Sequence, residues 1–224
     1  MTRRATAVLF ATLAIVGCSK SDGSVQVLNG FDIPVVVTLI SDSDGETTLP
    51  VPPRGRVGTE IGGRGRVKVT TESGTAISDD EVAFGKRERS PGCYRVINVA
   101  GAAAIATDDV VYGDGFGTPH GSLQSGWISE EHCYIGWAFE EPPEAISVER
   151  HGPHGRNITW LHYVGDGSWV TAVDLLLDDK GEHASLSRGM AQRIVKVVVA
   201  HDPSNTSLPA IEQRFAAERL AFPK

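Results

Sequence analysis

Three histidines form the densest group of metal-ligating residue types in the sequence. His151 and His154 flank a Gly-Pro pair, His162 follows nearby, and Glu149 precedes the group. A catalytic zinc site needs three ligands of this kind that converge, together with second-shell partners that fix them. The Gly-Pro pair predicts a hairpin loop, which does not hold His151 and His154 in a fixed geometry. We therefore favour a solvated turn and keep a metal-dependent envelope hydrolase that uses His151, His154 and His162 as an alternative.

Nucleophilic catalysis is less well supported. His162, Asp166 and Ser168 supply the residue types of a triad, but so short a stretch of local loop cannot place all three in their roles. The sequence also has no Gly-x-Ser-x-Gly motif, which would mark a serine on a strand–turn–helix. We expect no catalytic residue and no cofactor, and we predict that the chain is not an enzyme.

Adjacent carboxylates occur at Asp79-Asp80, Asp108-Asp109 and Asp178-Asp179. Neighbouring residues on a strand point to opposite faces of the sheet. These pairs therefore do not predict a shared general-acid site.

Tryptophans at positions 127, 137 and 160 could bind carbohydrate, because an indole ring in water can stack on a sugar. Trp127, Trp137 and Trp160 would serve a carbohydrate- or peptidoglycan-binding module only if they are exposed. Burial is the default expectation for such rings in a β-sandwich. The sugar-binding module is therefore kept as an alternative.

The charge of the chain argues against nucleic acid as a partner. The formal net charge is −7, whereas nucleic acids and anionic lipid headgroups both require clustered cations. The densest basic stretch, residues 54–68, places its cations among glycines and β-branched residues rather than among stacking aromatics. We interpret them as exposed strand and turn cations.

The N-terminus has the pattern of a secretory leader. Arg3 and Arg4 are the only charges before Lys20, and residues 5–16 are apolar or small except for two threonines. This run is shorter than the roughly 20 residues that a membrane-spanning helix needs. It ends in Ile15-Val16-Gly17-Cys18, which resembles a bacterial lipobox.

The lipobox resemblance implies that residues 1–17 are removed and that Cys18 becomes the acylated first residue of a tether over residues 18–24. Several acyl chains, palmitate among them, would hold the protein, since each buried methylene adds about 0.8 kcal/mol. Ser19, rather than Asp, follows the cysteine; by resemblance to lipoprotein sorting in two-membrane bacteria, this favours the outer membrane. A plain cleavable signal peptide is the alternative.

With Cys18 acylated, Cys93 and Cys133 remain. An even pair in an oxidising compartment is most simply a disulfide. Two free or metal-binding thiols are the alternative, although neither cysteine lies in a Cys-x-x-Cys motif.

Residues 25–165 have the pattern of an antiparallel β-sandwich. Short β-branched or alternating runs recur at spacings near ten residues, with turn residues between them. The predicted strands cover residues 25–28, 33–40, 56–61, 66–71, 82–84, 93–100, 104–112, 133–139, 145–149 and 157–163. Residues 49–53, which are proline-rich, predict an edge or a crossing loop, and the glycine-rich residues 113–126 predict a long loop. One β domain is favoured, with residues 127–163 as a second domain in the alternative.

Asn29-Gly30-Phe31-Asp32-Ile33-Pro34, with the valine run, proline-rich loop and glycine-arginine strands that follow, is similar to small modules of bacterial surface lipoproteins. These are the carboxypeptidase-regulatory-like and PEGA-type domains. The resemblance covers about 70 residues and implies a sandwich that acts as a spacer, a binder or an assembly part.

From Ser168 onward, the hydrophobic period changes to that of helices. Apolar residues predict three helices, with Ser168 as an N-cap and Pro209 in the first turn of the third. The helical segment, residues 166–224, resembles tetratricopeptide-type helices without their aromatic signature. Because such arrays need about three repeats to be stable alone, the segment must pack on the β domain or on a partner. We expect an outer-membrane lipoprotein of the cell envelope that makes protein–protein contacts or aids envelope assembly, and that binds another envelope protein through this tail.

Overall fold

The computed structural model describes residues 25–86, 93–113, 122–124, 129–133, 135–146 and 155–224. The described part of the chain is mainly β, with 43% of it in strands and three helices at the C-terminal end. In chain order the strands are β1 (Val25–Asn29), β2 (Val35–Ser41), β3 (Gly45–Val51), β4 (Gly55–Thr59), β5 (Gly63–Thr71), β6 (Ala76–Gly85), β7 (Tyr94–Asn98), β8 (Ile105–Gly113), β9 (Ser122–Gln124), β10 (Ser129–His132), β11 (Ile135–Ala138) and β12 (Gly155–Tyr163). The helices are α1 (Trp169–Asp178), α2 (Ala184–His201) and α3 (Leu208–Ala217).

The described strands form three four-stranded sheets. The first sheet has the order β10-β7-β1-β4, the second β3-β2-β5-β6, and the third β11-β12-β8-β9. Most pairs are antiparallel, but β1 pairs with β7 and β11 with β12 in parallel. A parallel pair needs a crossover connection, and the whole second sheet lies in the chain between β1 and β7.

The larger core joins the second sheet to the helices. Strand β2 alternates buried and half-buried residues, as expected for a strand with one face in the core. Its buried residues belong to the same apolar cluster as the buried faces of the three helices. This cluster includes Val35, Val37, Leu39, Trp169, Val173, Leu177, Ile194 and Phe215. The helical segment therefore packs on the β-rich part of its own chain.

A smaller core is shared by the first and third sheets. Leu28 and Val96 come from the first sheet, and Ile105, Ile135 and Leu161 come from the third. We call this group the second core. Because adjacent residues of a strand face opposite ways, it fixes which residues of β8 and β12 point away from the interior.

The three predicted helices are confirmed. Ser168 caps α1, with its Oγ accepting a hydrogen bond from the backbone N–H of Thr171 at 3.4 Å. Pro209 lies in the first turn of α3, where its missing N–H costs no helical hydrogen bond.

Most predicted strands are present, with shifted ends. Strand β3 is an edge of the second sheet and contains Pro50, which confirms an edge at residues 49–51. The short strand β10 was not predicted, and β9 lies within the stretch predicted to be a loop. Residues 145–146 are not in a strand, and the rest of the predicted strand 145–149 lies outside the described residues.

Candidate functional site

The third sheet carries aromatic and ionisable side chains on the face turned away from the second core. Antiparallel register places Trp160 opposite Asp108 and His162 opposite Ala106, so these four residues share one face. Their neighbours Thr159 and Leu161 point the other way, Leu161 into the second core. Parallel register then places Trp137 of β11 beside Trp160. We call Asp108, Trp137, Trp160 and His162 the aromatic face.

His162 is held through both of its ring nitrogens. Nε2 lies 2.7 Å from Oδ2 of Asp108, and Nδ1 lies 2.8 Å from the backbone oxygen of Tyr163. A carboxylate and a carbonyl only accept hydrogen bonds, so each ring nitrogen faces an acceptor oxygen. Both ring nitrogens of His162 are therefore turned towards groups of the protein itself.

Stacking adds to this fixed geometry. The Trp160 and His162 rings lie 4.0 Å apart between centroids, at an interplanar angle of 22°. Stacked rings of this kind attract each other in addition to the area that they bury. Asp108, Trp160 and His162 therefore form a single rigid unit on two paired strands.

Trp137 contacts a second aromatic residue on the same sheet. Its ring lies 5.7 Å from that of Tyr112, whose hydroxyl donates to the backbone oxygen of Pro143 at 2.7 Å. Tyr112 is buried, whereas Trp137 and Trp160 are half-buried. Two indoles on neighbouring strands, each partly in water, provide a flat surface that can stack on a ligand or pack against a protein.

The opposite face of the third sheet is apolar enough to raise the pKa of a tyrosine hydroxyl. Burial raises the pKa of Tyr163 to about 12, with the nearby Arg56 cation opposing the shift. Tyr163 also packs on Phe139, with ring centroids 4.9 Å apart. The tyrosine therefore stays neutral at physiological pH and acts as part of the second core.

Several predicted site residues lie outside the described residues: Cys18, Trp127, Glu149, His151 and His154. The expected lipidation and the three-histidine metal site therefore remain predictions. Among the described residues, no group of three or more His, Cys, Asp or Glu side chains is placed to hold a metal ion. Within the same residues, no helix is long and apolar enough to cross a membrane.

The two remaining cysteines come together. The sulfur atoms of Cys93 and Cys133 lie 2.06 Å apart, which is bonding distance and fits the expected disulfide. Cys93 directly precedes β7 and Cys133 directly follows β10, so the bond joins one end of an antiparallel pair.

Asp166 and Ser168 do not join His162 in a triad. Oδ1 of Asp166 accepts from the backbone N–H of Ser168 and from the Thr171 hydroxyl, both at 3.0 Å. These hydrogen bonds, of which those from Ser168 contribute most, lower the pKa of Asp166. The residues form the start of α1, and His162 is engaged with Asp108.

The adjacent carboxylates have separate partners, as the sequence predicts. Asp79 forms an ion pair with Arg66 at 2.8 Å, whereas Asp80 forms one with Arg193 of α2 at 3.0 Å. Asp108 binds His162, and Asp109 accepts from the hydroxyl of Thr159 at 3.1 Å on the other face. At the end of α1, Asp178 binds Arg214 and Asp179 accepts from Ser187.

Asp32 accepts hydrogen bonds from three side chains that are distant in sequence. It accepts from Arg54 at 2.5 Å, from the Trp169 indole at 3.0 Å and from Asn205 at 2.8 Å. Burial alone would raise its pKa, but these hydrogen bonds outweigh burial and hold the pKa below its usual value. Every bond joins two chain segments, so Asp32 supports the fold rather than a reaction. Arg54 also binds Asp166 at 2.9 Å, which accounts for one of the cations in residues 54–68.

The pairing of Asp108 with His162 was missed by the sequence analysis. The two residues are 54 positions apart, and only the register of β8 against β12 makes them neighbours. Alternation along the two strands could have assigned Asp108 and His162 each to one face of the sheet. No motif, however, specifies how the two strands are aligned.

Comparison of the chain with protein-family models, with curated proteins and with solved structures gives no match. The function must therefore be argued from the residues of this chain.

Proposed function

We propose that this protein is a non-enzymatic lipoprotein of the cell envelope, anchored to the outer membrane through Cys18, that makes protein–protein contacts or aids envelope assembly. The observation that carries the binding role is the aromatic face, where two half-buried indoles lie in register beside the hydrogen-bonded side chains of Asp108 and His162. Trp and Tyr dominate the energy of protein interfaces because they bury a large area at a low cost in conformational entropy.

The partners of His162 support a binding role over catalysis. A general base or a metal ligand needs an accessible ring nitrogen, whereas each nitrogen of His162 lies within hydrogen-bond distance of a protein oxygen. Side chains held in this way suit a recognition surface, because preorganisation reduces the entropy lost on binding.

A sandwich arrangement of the first and third sheets is part of this proposal. The second core takes residues from both sheets, as two stacked sheets would. In such an arrangement the aromatic face would point outward. The resemblance to sandwich modules of surface lipoproteins supports the same reading.

The helical tail is the rival contact surface. Its apolar sides are buried in the larger core, so a partner would meet the outer side, where Leu186 is 57% exposed. The two surfaces can be separated by substitution without removing the tail.

Crosslinking in intact cells followed by mass spectrometry tests the contact role. We expect wild-type protein to capture an envelope protein, Trp137→Ala combined with Trp160→Ala to lose it, and Leu186→Asp to retain it. Circular dichroism on each variant checks that the fold is kept. Capture that survives the tryptophan substitutions and fails with Leu186→Asp would move the contact to the tail, and no capture by any form would refute the contact role.

Anchoring is tested separately. Labelled palmitate should enter wild-type protein and not the Cys18→Ala variant, which should leave the outer-membrane fraction. Soluble wild-type protein without label would overturn the anchor while leaving the contact role to be judged by the crosslinks.

A carbohydrate- or peptidoglycan-binding role is the second candidate. It is favoured by the partial exposure of both indoles, since sugar stacking needs an aromatic surface in water. Co-sedimentation with purified peptidoglycan, lost in the Trp137→Ala and Trp160→Ala variant, would establish it. Equal sedimentation of both forms would dispose of it.

A further inference from the structure

The short strand β10 is held by few contacts. Within the described residues, it comprises Ser129–His132, pairs with β7 alone, and forms an edge of the first sheet. A four-residue edge strand gains little from pairing by itself, because no other described strand pairs with its outer backbone groups. One ion pair, between Arg95 and Glu131 at 3.5 Å, lies across the β7–β10 pair.

Two of the four side chains of β10 make its burial against the core energetically unfavourable. Glu130 and His132 pair with Val96 and Tyr94, which both pack in the second core, so they face an apolar interior. Oε2 of Glu130 and Nε2 of His132 are buried, and within the described residues neither accepts or donates a hydrogen bond. A buried polar atom without a partner loses its hydration and gains nothing in return.

The two cysteines lie where a disulfide would offset the cost of burying these polar side chains. Cys93 directly precedes β7 and Cys133 directly follows β10, so the bond between them joins the two strands at one end of their pairing. The Cys133 side is exposed and the Cys93 side is half-buried. A reductant would therefore reach the sulfur of Cys133 first.

We propose that β10 is a redox-released edge strand: the Cys93–Cys133 disulfide keeps it paired with β7, and reduction by a dithiol frees it. A thiolate of the dithiol attacks Sγ of Cys133, and Cys93 leaves as a thiolate that takes up a proton. The second thiol of the reductant then attacks the mixed disulfide and releases Cys133. The protein gains two thiols, and the dithiol becomes a disulfide.

Release uncovers one edge of β7. Its other edge stays paired with β1 over Val25–Leu28, so the rest of the first sheet is retained. The backbone groups of β7 along that edge would then have lost their strand partner.

Hydrogen–deuterium exchange of the purified full-length protein, with and without dithiothreitol, tests this inference. We expect the amides of Ser129–His132 to exchange at least about tenfold faster after reduction, while the amides of β2 and β5 keep their rates. A Cys93→Ser and Cys133→Ser double variant should behave like the reduced protein without any reductant. Unchanged exchange in β10, or equal acceleration throughout the chain, would overturn the inference.

A substitution tests the cause independently. Glu130→Val replaces the buried carboxylate with a β-branched apolar side chain that suits a strand facing a core. It should restore slow exchange to β10 in the reduced protein, whereas Glu131→Gln, on the other face of the strand, should not. Fast exchange in reduced Glu130→Val protein would show that the buried carboxylate is not what opposes pairing.

Discussion

The indole Nε1 of Trp169 donates to Oδ2 of Asp32 at 3.0 Å across 137 positions of sequence. Trp169 is fully buried in the first turn of α1, and Asp32 lies in the turn between β1 and β2. The same carboxylate oxygen accepts from Asn205, in the link between α2 and α3. One carboxylate therefore holds the helical segment at two points.

Asp32→Asn should lower the free energy of unfolding by about 1–3 kcal/mol at pH 7, the usual cost of mispairing a part-buried polar group. The new amide keeps one acceptor oxygen but turns its NH2 group either towards Arg54 or towards Trp169 and Asn205, which are all donors. Chemical denaturation measures the loss, and Glu72→Gln in an exposed turn is the matched control. Equal stability of the two variants would contradict the role given to Asp32.

The lowered pKa of Asp32 in the wild-type protein predicts how the same variant responds to pH. A carboxyl with a lower pKa in the folded state contributes stability that is present above its unfolded value of 3.8 and is lost as the pH falls through the folded pKa. Asp32→Asn should therefore flatten the stability curve below about pH 4. A wild-type slope in the variant would mean that other carboxyls produce it.

Gly30→Ala should destabilise the protein, because a Cβ at that position would lie 2.0 Å from the backbone oxygen of Ala102. The backbone oxygen of Gly30 also accepts the N–H of Trp169 at 2.8 Å, so a shift there would disturb the start of α1. Overpacking of this kind costs about 1–3 kcal/mol.

Gly189→Ala is the control for that substitution. Gly189 lies inside α2, and a Cβ there meets nothing within 4 Å. Alanine should add about 0.5–1 kcal/mol through its higher helix propensity. Thermal unfolding of the two variants should shift in opposite directions, and a shift in the same direction would contradict the packing argument.

Local patterns predicted the helices and most strands, because those signals lie within short windows. The alternation of Val35, Val37 and Leu39 identifies a half-buried strand, and Ser168 marks the start of α1. The pairing of β1 with β7 has no local signal, since strand partners depend on contacts distant in sequence. The arrangement into three sheets was therefore not predictable in the same way.

The aromatic face was also not predictable from local patterns, because it depends on strand pairing. The sequence singled out Trp137 and Trp160 for sugar stacking, but His162 for metal binding or a triad. What unites them is register: Asp108 lies opposite Trp160 and diagonal to His162. Strand β10 was not predicted as a separate strand, because Glu130 and His132, which face the second core, are ionisable rather than apolar.

Removal of residues 168–224 should prevent stable folding rather than only abolish partner binding. Trp169, Ile194 and Phe215 are buried in the same core as β2 and β5, so the truncated chain would expose one face of the second sheet. We expect it to aggregate or to bind the dye ANS, as measured by light scattering and fluorescence. Leu186→Asp, on the outer side of α2, should do neither. A truncated chain that stays monomeric, with cooperative unfolding, would contradict the shared core.

His132 should make the stability of the protein sensitive to mild acid. Burial lowers the pKa of its imidazole, and the Arg95 cation lowers it further, so the folded state favours the neutral ring. Such a group contributes stability above its unfolded pKa of 6.5, which is lost as the pH falls towards the folded value. His132→Phe should therefore give a flatter stability curve below about pH 6.5. It should also raise stability at neutral pH, because it removes a buried Nε2 without a hydrogen-bond partner among the described residues.

His183→Gln, at a side chain that is 73% exposed, should leave the curve unchanged. Urea titrations at half-unit steps from pH 5 to 7.5 give the slopes, and an identical slope in wild-type and His132→Phe protein would show that the buried imidazole does not oppose protonation.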